Sequence, residues 1–188
     1  FGIKPTRPET GYGYLELDGE EVHGALPLNR FVEKPELTEA ERMLEAGGYL
    51  WNAGIFMYTA QTLIDAFATH APDMLADVRK AVDEAERDLG FTRLDPDAWN
   101  GLEDISIDYA VMEKAEQVAI VPVSMGWSDV GSWDALHAIS AQDEAGNALD
   151  GDVLAIDTAN SLVRSTGPTV TTIGVEDLII IATEDAVL

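Results

Sequence analysis

Apolar and polar positions alternate over residues 12–17 (YGYLEL), and this period of two predicts a half-buried strand. Gly19 marks a turn, and residues 29–33 read as the returning strand. The period then changes. Thr38 and Glu41 have capping-box spacing ahead of Met43 and Leu44, and Gly47-Gly48 stops the helix so begun. Residues 54–58 (GIFMY) are continuously apolar and read as a buried strand. Thr59 caps a helix carrying Leu63, Ile64 and Phe67; Pro72 breaks it. Met74, Leu75, Val78, Val82 and Ala85 carry the helical period through a second helix. Residues 91–104 read as an acidic loop. Ser106 reads as the cap of a helix with Asp108 in its first turn, residues 118–123 as a short strand, and Ser132 as the start of a helix ending at Ile139.

The texture shifts at residues 142–151 (QDEAGNALDG), a polar linker. Only short β-like runs follow, at 153–156, 162–164, 170–173 and 178–182. Their similar spacing hints at a repeat, although no residue pattern recurs strictly. The pattern predicts an α/β chain in two parts: a mixed α/β domain over residues 1–141 and a small β domain over 142–188.

Composition narrows what such a chain does. Of 188 residues, 46% are hydrophobic, enough for a real core, and no apolar run reaches the length of a membrane span. Cysteine is absent, which excludes disulfides, thiolate metal sites and a cysteine nucleophile. With 11 basic and 35 acidic side chains the formal charge is -24, a field that repels nucleic acid and anionic membrane. A small phosphorylated ligand escapes that exclusion, because one lysine and one divalent ion suffice locally. The first residues, FGIKPT, lack a methionine or a signal pattern and read as the interior of a longer chain.

Five segments carry candidate chemistry. In TGYG (residues 10–13), Gly11 and Gly13 let backbone approach a ligand closely, or simply make a turn. In FVEKP (31–35), Glu33 and Lys34 sit at a strand end before Pro35. A carboxylate can fork two sugar hydroxyls and a lysine can meet a phosphate, while a surface ion pair is the plainer alternative. In YLWNAGIF (49–56), Asn52 is an amide with small Ala53 and Gly54 after it. Either a hydroxylated ligand or its own backbone would satisfy it. SIDYAVMEK (106–114) is a capped helix that packs near a site or touches a ligand. In GWSDVGSW (126–133), Asp129 lies between Trp127 and Trp133, with Gly131 leaving space. One carboxylate beneath two rings suits a share of a Mg²⁺ ion, or a turn cap.

In this order the segments TRPETGYGY, FVEKP, YLWNAGIF, SIDYAVMEK and GWSDVGSW resemble the sugar-1-phosphate nucleotidyltransferases, most closely the mannose-1-phosphate guanylyltransferase branch. The resemblance implies a partial Rossmann-like nucleotidyltransferase domain, with a mixed sheet and flanking helices, and then a β-helix-like appendage. It implies GTP and mannose 1-phosphate as substrates, GDP-mannose and pyrophosphate as products, Mg²⁺ as cofactor and a cytoplasmic setting. By family likeness Gly13, Glu33 and Asn52 bind the sugar, Lys34 holds its phosphate and is the catalytic residue, and Asp129 is a metal ligand. The family's glycine-rich nucleotide loop and a second metal-binding aspartate are absent from these 188 residues. The expectation is therefore a carboxy-terminal half, inactive alone and prone to homo-oligomerise through uncovered sheet edges. Two alternatives stand beside it: a transferase using glucose 1-phosphate with UTP or dTTP, and a non-catalytic sugar-phosphate-binding or assembly module.

Overall fold

The computed structural model describes residues 1–188. The chain divides into two compact units, Phe1–Met125 and Gly126–Leu188, so the expected boundary at 141/142 falls inside the second.

The first unit contains strands β1 (Gly2–Ile3), β2 (Tyr14–Leu17) and β3 (Leu26–Val32), helix α1 (Leu37–Ala46) and strand β4 (Tyr49–Asn52). Helices α2 (Ala60–His70) and α3 (Pro72–Asp83) follow, then a hairpin of β5 (Glu86–Asp88) and β6 (Phe91–Arg93), and helix α4 (Pro96–Asn100). A π-helical turn (Asp108–Met112) precedes β7 (Ala119–Ile120) and β8 (Pro122–Val123).

Six of these strands form one mixed sheet in the order β7-β3-β2-β4-β1-β8, antiparallel except for the β1–β8 pair. Alternation builds its two faces. Tyr14 and Trp51 point to one side, where α1 supplies Ala40 and Met43. Their neighbours Leu15 and Leu50 point to the other side and pack with Phe31 and Ile120. Tyr14 is wholly buried, and its hydroxyl accepts a hydrogen bond from the Glu9 N–H at 2.9 Å, so the core tyrosine keeps its polar end satisfied.

Several boundaries differ from the sequence reading. The strand lies at Tyr49–Asn52 rather than 54–58. Gly54 has φ +67 and turns the chain out, leaving Met57 86% exposed. Helix α1 begins behind Glu36 with no side-chain cap, so Thr38 does not cap it. The 91–104 segment is not a plain loop: Asp95 caps α4 by accepting from the Ala98 N–H at 2.8 Å. Residues 118–123 are split, β7 pairing with β3 and β8 with β1.

The second unit opens with α5 (Trp133–Ile139), capped by the Ser132 hydroxyl as expected. Strands β9 (Ala148–Asp150), β10 (Val153–Ile156), β11 (Leu162–Ser165), β12 (Val170–Ile173) and β13 (Ile179–Ala182) follow. All pairings among them are parallel: β9–β11–β13 in one sheet and β10–β12 in another. Cross-coil hydrogen bonds Asn160–Asp177, Thr169–Asp152 and Leu178–Ser161 each span 17 residues. That regular rise is a β-helix, and it explains why the sequence repeat looked loose. Only corner geometry recurs: Asp157 and Asn160 have positive φ, as do Gly174 and Asp177 one coil later.

Candidate functional site

Register assembles the polar cluster. Tyr14 pairs with Val32 on one side and with Trp51 on the other, so β2 begins where β3 and β4 end. One residue beyond that row stand Gly13, Glu33 and Asn52, three positions distant in sequence and adjacent in space. The ladder continues through them: Asn52 N–H donates to Gly13 C=O at 2.8 Å, and Lys34 N–H to Tyr12 C=O at 3.2 Å.

Gly13 is a matter of space. A Cβ on it would lie 2.5 Å from Glu33 Oε2 and 3.2 Å from both Asn52 Cβ and Phe31 Cε1. The missing side chain lets Glu33 pack down on the backbone. Its side chain is only 9% exposed, and Oε2 is buried without a hydrogen-bond partner. Oε1 faces the Lys34 ammonium at 3.5 Å, and the Lys34 side chain is 58% exposed. Burial pushes the Glu33 carboxyl above its ordinary range; the Asp108 carboxylate adds to this, and Lys34 opposes it. A carboxylate so desolvated and so poorly partnered is costly to keep, and such groups concentrate at functional sites.

Lys34 sits at φ +46, immediately before Pro35. Left-handed backbone is costly for a side-chain-bearing residue, and a residue before proline ordinarily stays extended. The turn makes the chain leave the sheet at once, with the ammonium left beside the strand ends.

Asn52 is held from both ends. Its Nδ2 donates to Asp108 Oδ1 at 3.1 Å, and its Oδ1 accepts from the Gly54 N–H at 3.1 Å. Glu113 Oε1 accepts the Glu33 backbone N–H at 3.1 Å. Asp108 and Glu113 were not among the sequence candidates. Their segment, SIDYAVMEK, was singled out, but the expected cap is wrong: Ile107 occupies that position with no side-chain hydrogen bond, and the backbone winds as a π-helix. Arg7 was missed as well. Its guanidinium lies 5.4 Å from the Trp51 ring, which meets Tyr12 edge to face at 5.3 Å. Both contacts join residues far apart in the chain, Arg7 with Trp51 and Asp108 with Asn52, so no local pattern announced either.

A largely apolar cavity of about 360 Å³, lined by Phe1, Phe31, Phe56, Leu63 and Met112, shares only Asn52 with the polar cluster. The cluster is therefore a shelf at the strand ends rather than the floor of that cavity.

Asp129 belongs to the second unit and is exposed, rather than enclosed by Trp127 and Trp133. Its Oδ2 lies where a side chain on residue 131 would begin, so a substitution at Gly131 would turn that exposed carboxylate aside. Val130 between them has φ +51, a costly value for a β-branched residue, and donates its N–H to Ser128 Oγ at 3.3 Å.

Chemically, the shelf offers an acceptor at Glu33, a cation at Lys34 and an amide N–H at Asn52. That set suits a hydroxylated, anionic small molecule. Residues 1–146 match the family model described as nucleotidyl transferase, and the chain belongs to that family. Residues 151–188 match a MannoseP isomerase/GMP-like beta-helix domain. The chain is 42% identical to a mannose-1-phosphate guanylyltransferase of Escherichia coli (strain K12), covering 100% of this chain and 40% of that protein. It is 44% identical to one of Sinorhizobium fredii (strain NBRC 101917 / NGR234), covering 100% of this chain and 36% of that protein. A crystal structure from Thermus thermophilus, described as mannose-1-phosphate geranyltransferase, superposes with a TM-score of 0.84 at 36% identity, over 100% of this chain and 53% of that one. The chain thus spans less than half the length of these two sequence relatives and about half that of the solved structure.

Proposed function

We propose that this chain supplies the sugar-phosphate side of an enzyme that transfers a nucleotidyl group from GTP to mannose 1-phosphate, giving GDP-mannose and pyrophosphate. The observation that carries the reading is the row Gly13, Glu33, Asn52 with Lys34 at its edge, in a chain whose relatives bear that activity in their names. Glu33 accepts hydrogen bonds from sugar hydroxyls. Lys34 neutralises the sugar phosphate and lowers the repulsion between the two phosphates that must meet in line. The activity belongs to the cytoplasm, where nucleotides and sugar phosphates are available. No helix of the chain is long and apolar enough to cross a membrane.

Magnesium takes oxygen ligands and commonly uses one or two carboxylates together with phosphates. The chain holds no group of three acidic or histidine side chains able to cage an ion, while Asp129 offers one exposed carboxylate. Asp129 would supply one ligand of the ion, the second aspartate that the family resemblance implies being absent from these residues, and the ion's charge would stabilise the transferring phosphates.

Calorimetric titration tests the reading. Mannose 1-phosphate is expected to bind the chain, free mannose to bind far more weakly, and Lys34→Ala to lose roughly 10–100-fold in affinity, the range of a charge-assisted phosphate contact. Absence of binding, or equal binding by Lys34→Ala, would refute it. Without the glycine-rich loop, the 188 residues are expected to release no pyrophosphate from GTP, mannose 1-phosphate and Mg²⁺. Side-by-side turnover of GTP, UTP and dTTP by the full-length enzyme would fix the base.

A further inference from the structure

The SIDYAVMEK segment has no assigned part in the reading above, yet it supplies the side-chain partner of Asn52. Its π-helical turn, an irregularity often found at functional sites, brings Asp108 Oδ1 to 3.1 Å from Asn52 Nδ2. On the other side the Gly54 N–H donates to Asn52 Oδ1 at 3.1 Å. A backbone N–H can only donate and an ionised carboxylate can only accept, so the two partners agree on one amide orientation and exclude its flip. The amide oxygen is engaged by backbone. One Nδ2 proton is engaged by Asp108, and the other remains for a ligand.

We propose that Asp108 is a positioning residue: it clamps the Asn52 amide so that the site presents an N–H there and reads an acceptor oxygen of the sugar phosphate. The inference rests on the sugar-phosphate reading of the site. Without Asp108, Asn52 is tethered by Gly54 alone, and its free N–H swings with the side chain. An asparagine at 108 supplies a carbonyl oxygen of nearly the same shape, so it keeps the clamp while removing the charge.

The test is mannose 1-phosphate binding, by calorimetry, to the wild-type chain, Asp108→Ala, Asn52→Ala, the double variant and Asp108→Asn. Each single alanine is expected to weaken binding about tenfold, the size of one charge-assisted hydrogen bond. The double variant is expected to lose no more than about threefold beyond either, because both changes break one contact. Asp108→Asn is expected to return within about threefold of wild type, since the hydrogen bond survives the loss of charge. Additive losses of about a hundredfold in the double variant would show that Asp108 acts independently and would overturn the clamp. So would Asp108→Ala binding like wild type, or Asp108→Asn binding no better than Asp108→Ala.

A measurement without variants stands beside these. The Asn52 side-chain amide protons of the ligand-free chain are expected to exchange more slowly than those of exposed Asn100, and equal rates would sink the proposal. A wild-type chain that fails to bind mannose 1-phosphate removes the sugar-phosphate reading and this inference together. Wild-type binding with uncoupled Asp108 and Asn52 removes only the inference.

Discussion

Gly13→Ala isolates the close packing of the shelf from every other property of the chain. Neither Gly11 nor Gly13 has left-handed backbone, so an alanine is conformationally acceptable at both positions and any effect is steric. At Gly13 the new methyl would meet Glu33 Oε2 at 2.5 Å, about 1 Å inside ordinary contact. Asn52 Cβ and Phe31 Cε1, both at 3.2 Å, must yield by a few tenths of an ångström. The carboxylate ends a flexible side chain and can retreat, but only by leaving its position under the strand ends.

Overpacking ordinarily costs about 1–3 kcal/mol, and stiffening the unfolded chain returns about 0.4–1, so a net destabilisation of about 1–2 kcal/mol is expected. On the proposed reading the displaced groups are the ligand's partners, so mannose 1-phosphate affinity should also fall, by about tenfold or more, a loss of about 1.4 kcal/mol at least. Gly11→Ala is the control: its nearest neighbour is Glu9 Oε1 at 3.3 Å, on a loop. Urea unfolding and calorimetry on both variants decide the matter. Indistinguishable stability and affinity for the two would mean that the contact between Gly13 and Glu33 does not shape the site.

The raised Glu33 pKa has a definite sign: its ionised form opposes folding, so its contribution to stability falls as pH rises from the ordinary carboxylate range through the raised value. Glu33→Gln should therefore melt higher than wild type at pH 7, with an advantage that shrinks on acidification; a constant difference across pH would contradict this. Lys34→Gly should be more stable than Lys34→Ala by about 1 kcal/mol, because only glycine accepts φ +46 without strain. Both variants should lose phosphate binding, as calorimetry beside chemical denaturation would show. In the second unit, buried Asn147 donates to Thr158 C=O at 2.8 Å and Asp143 Oδ2 at 3.1 Å, and accepts from the Ser161 N–H at 3.1 Å. Asn147→Ala leaves these groups unpaired and should cost that unit about 2–3 kcal/mol in urea unfolding, and a loss below about 0.5 would mean that water replaces the amide.

Segments with strong local signals were legible in the sequence. Ser132 and Thr59 cap helices because their hydroxyls meet an N–H three residues on, an event decided within one turn. Residues 14–17 are a strand because alternation puts Tyr14 and Leu15 on opposite faces of a two-sided core. Gly13, Glu33, Lys34 and Asn52 were recognisable as chemistry, and sheet register brings them together. What the sequence hid was long-range. The apolar run at 54–58 looked like a strand because nothing local shows that Gly54 turns it outward. Asp108 looked like a helix-start residue because its partner, Asn52, belongs to a distant strand. The β-helix was only hinted at, since its coils repeat a backbone path rather than a string of side chains.

The hairpin of β2 and β3 has two ends with different freedoms. At one end stand Gly13 and Glu33; at the other, residues 18–25 close through His23 and Gly24, both at positive φ, with Val22 and Ala25 paired across them. Lengthening that distal loop would leave the row of Gly13, Glu33 and Asn52 undisturbed, so a reporter peptide or label could be grafted there. Deleting one residue within either strand would invert every side chain beyond it, and the polar groups of the shelf would be handed to the opposite face of the sheet.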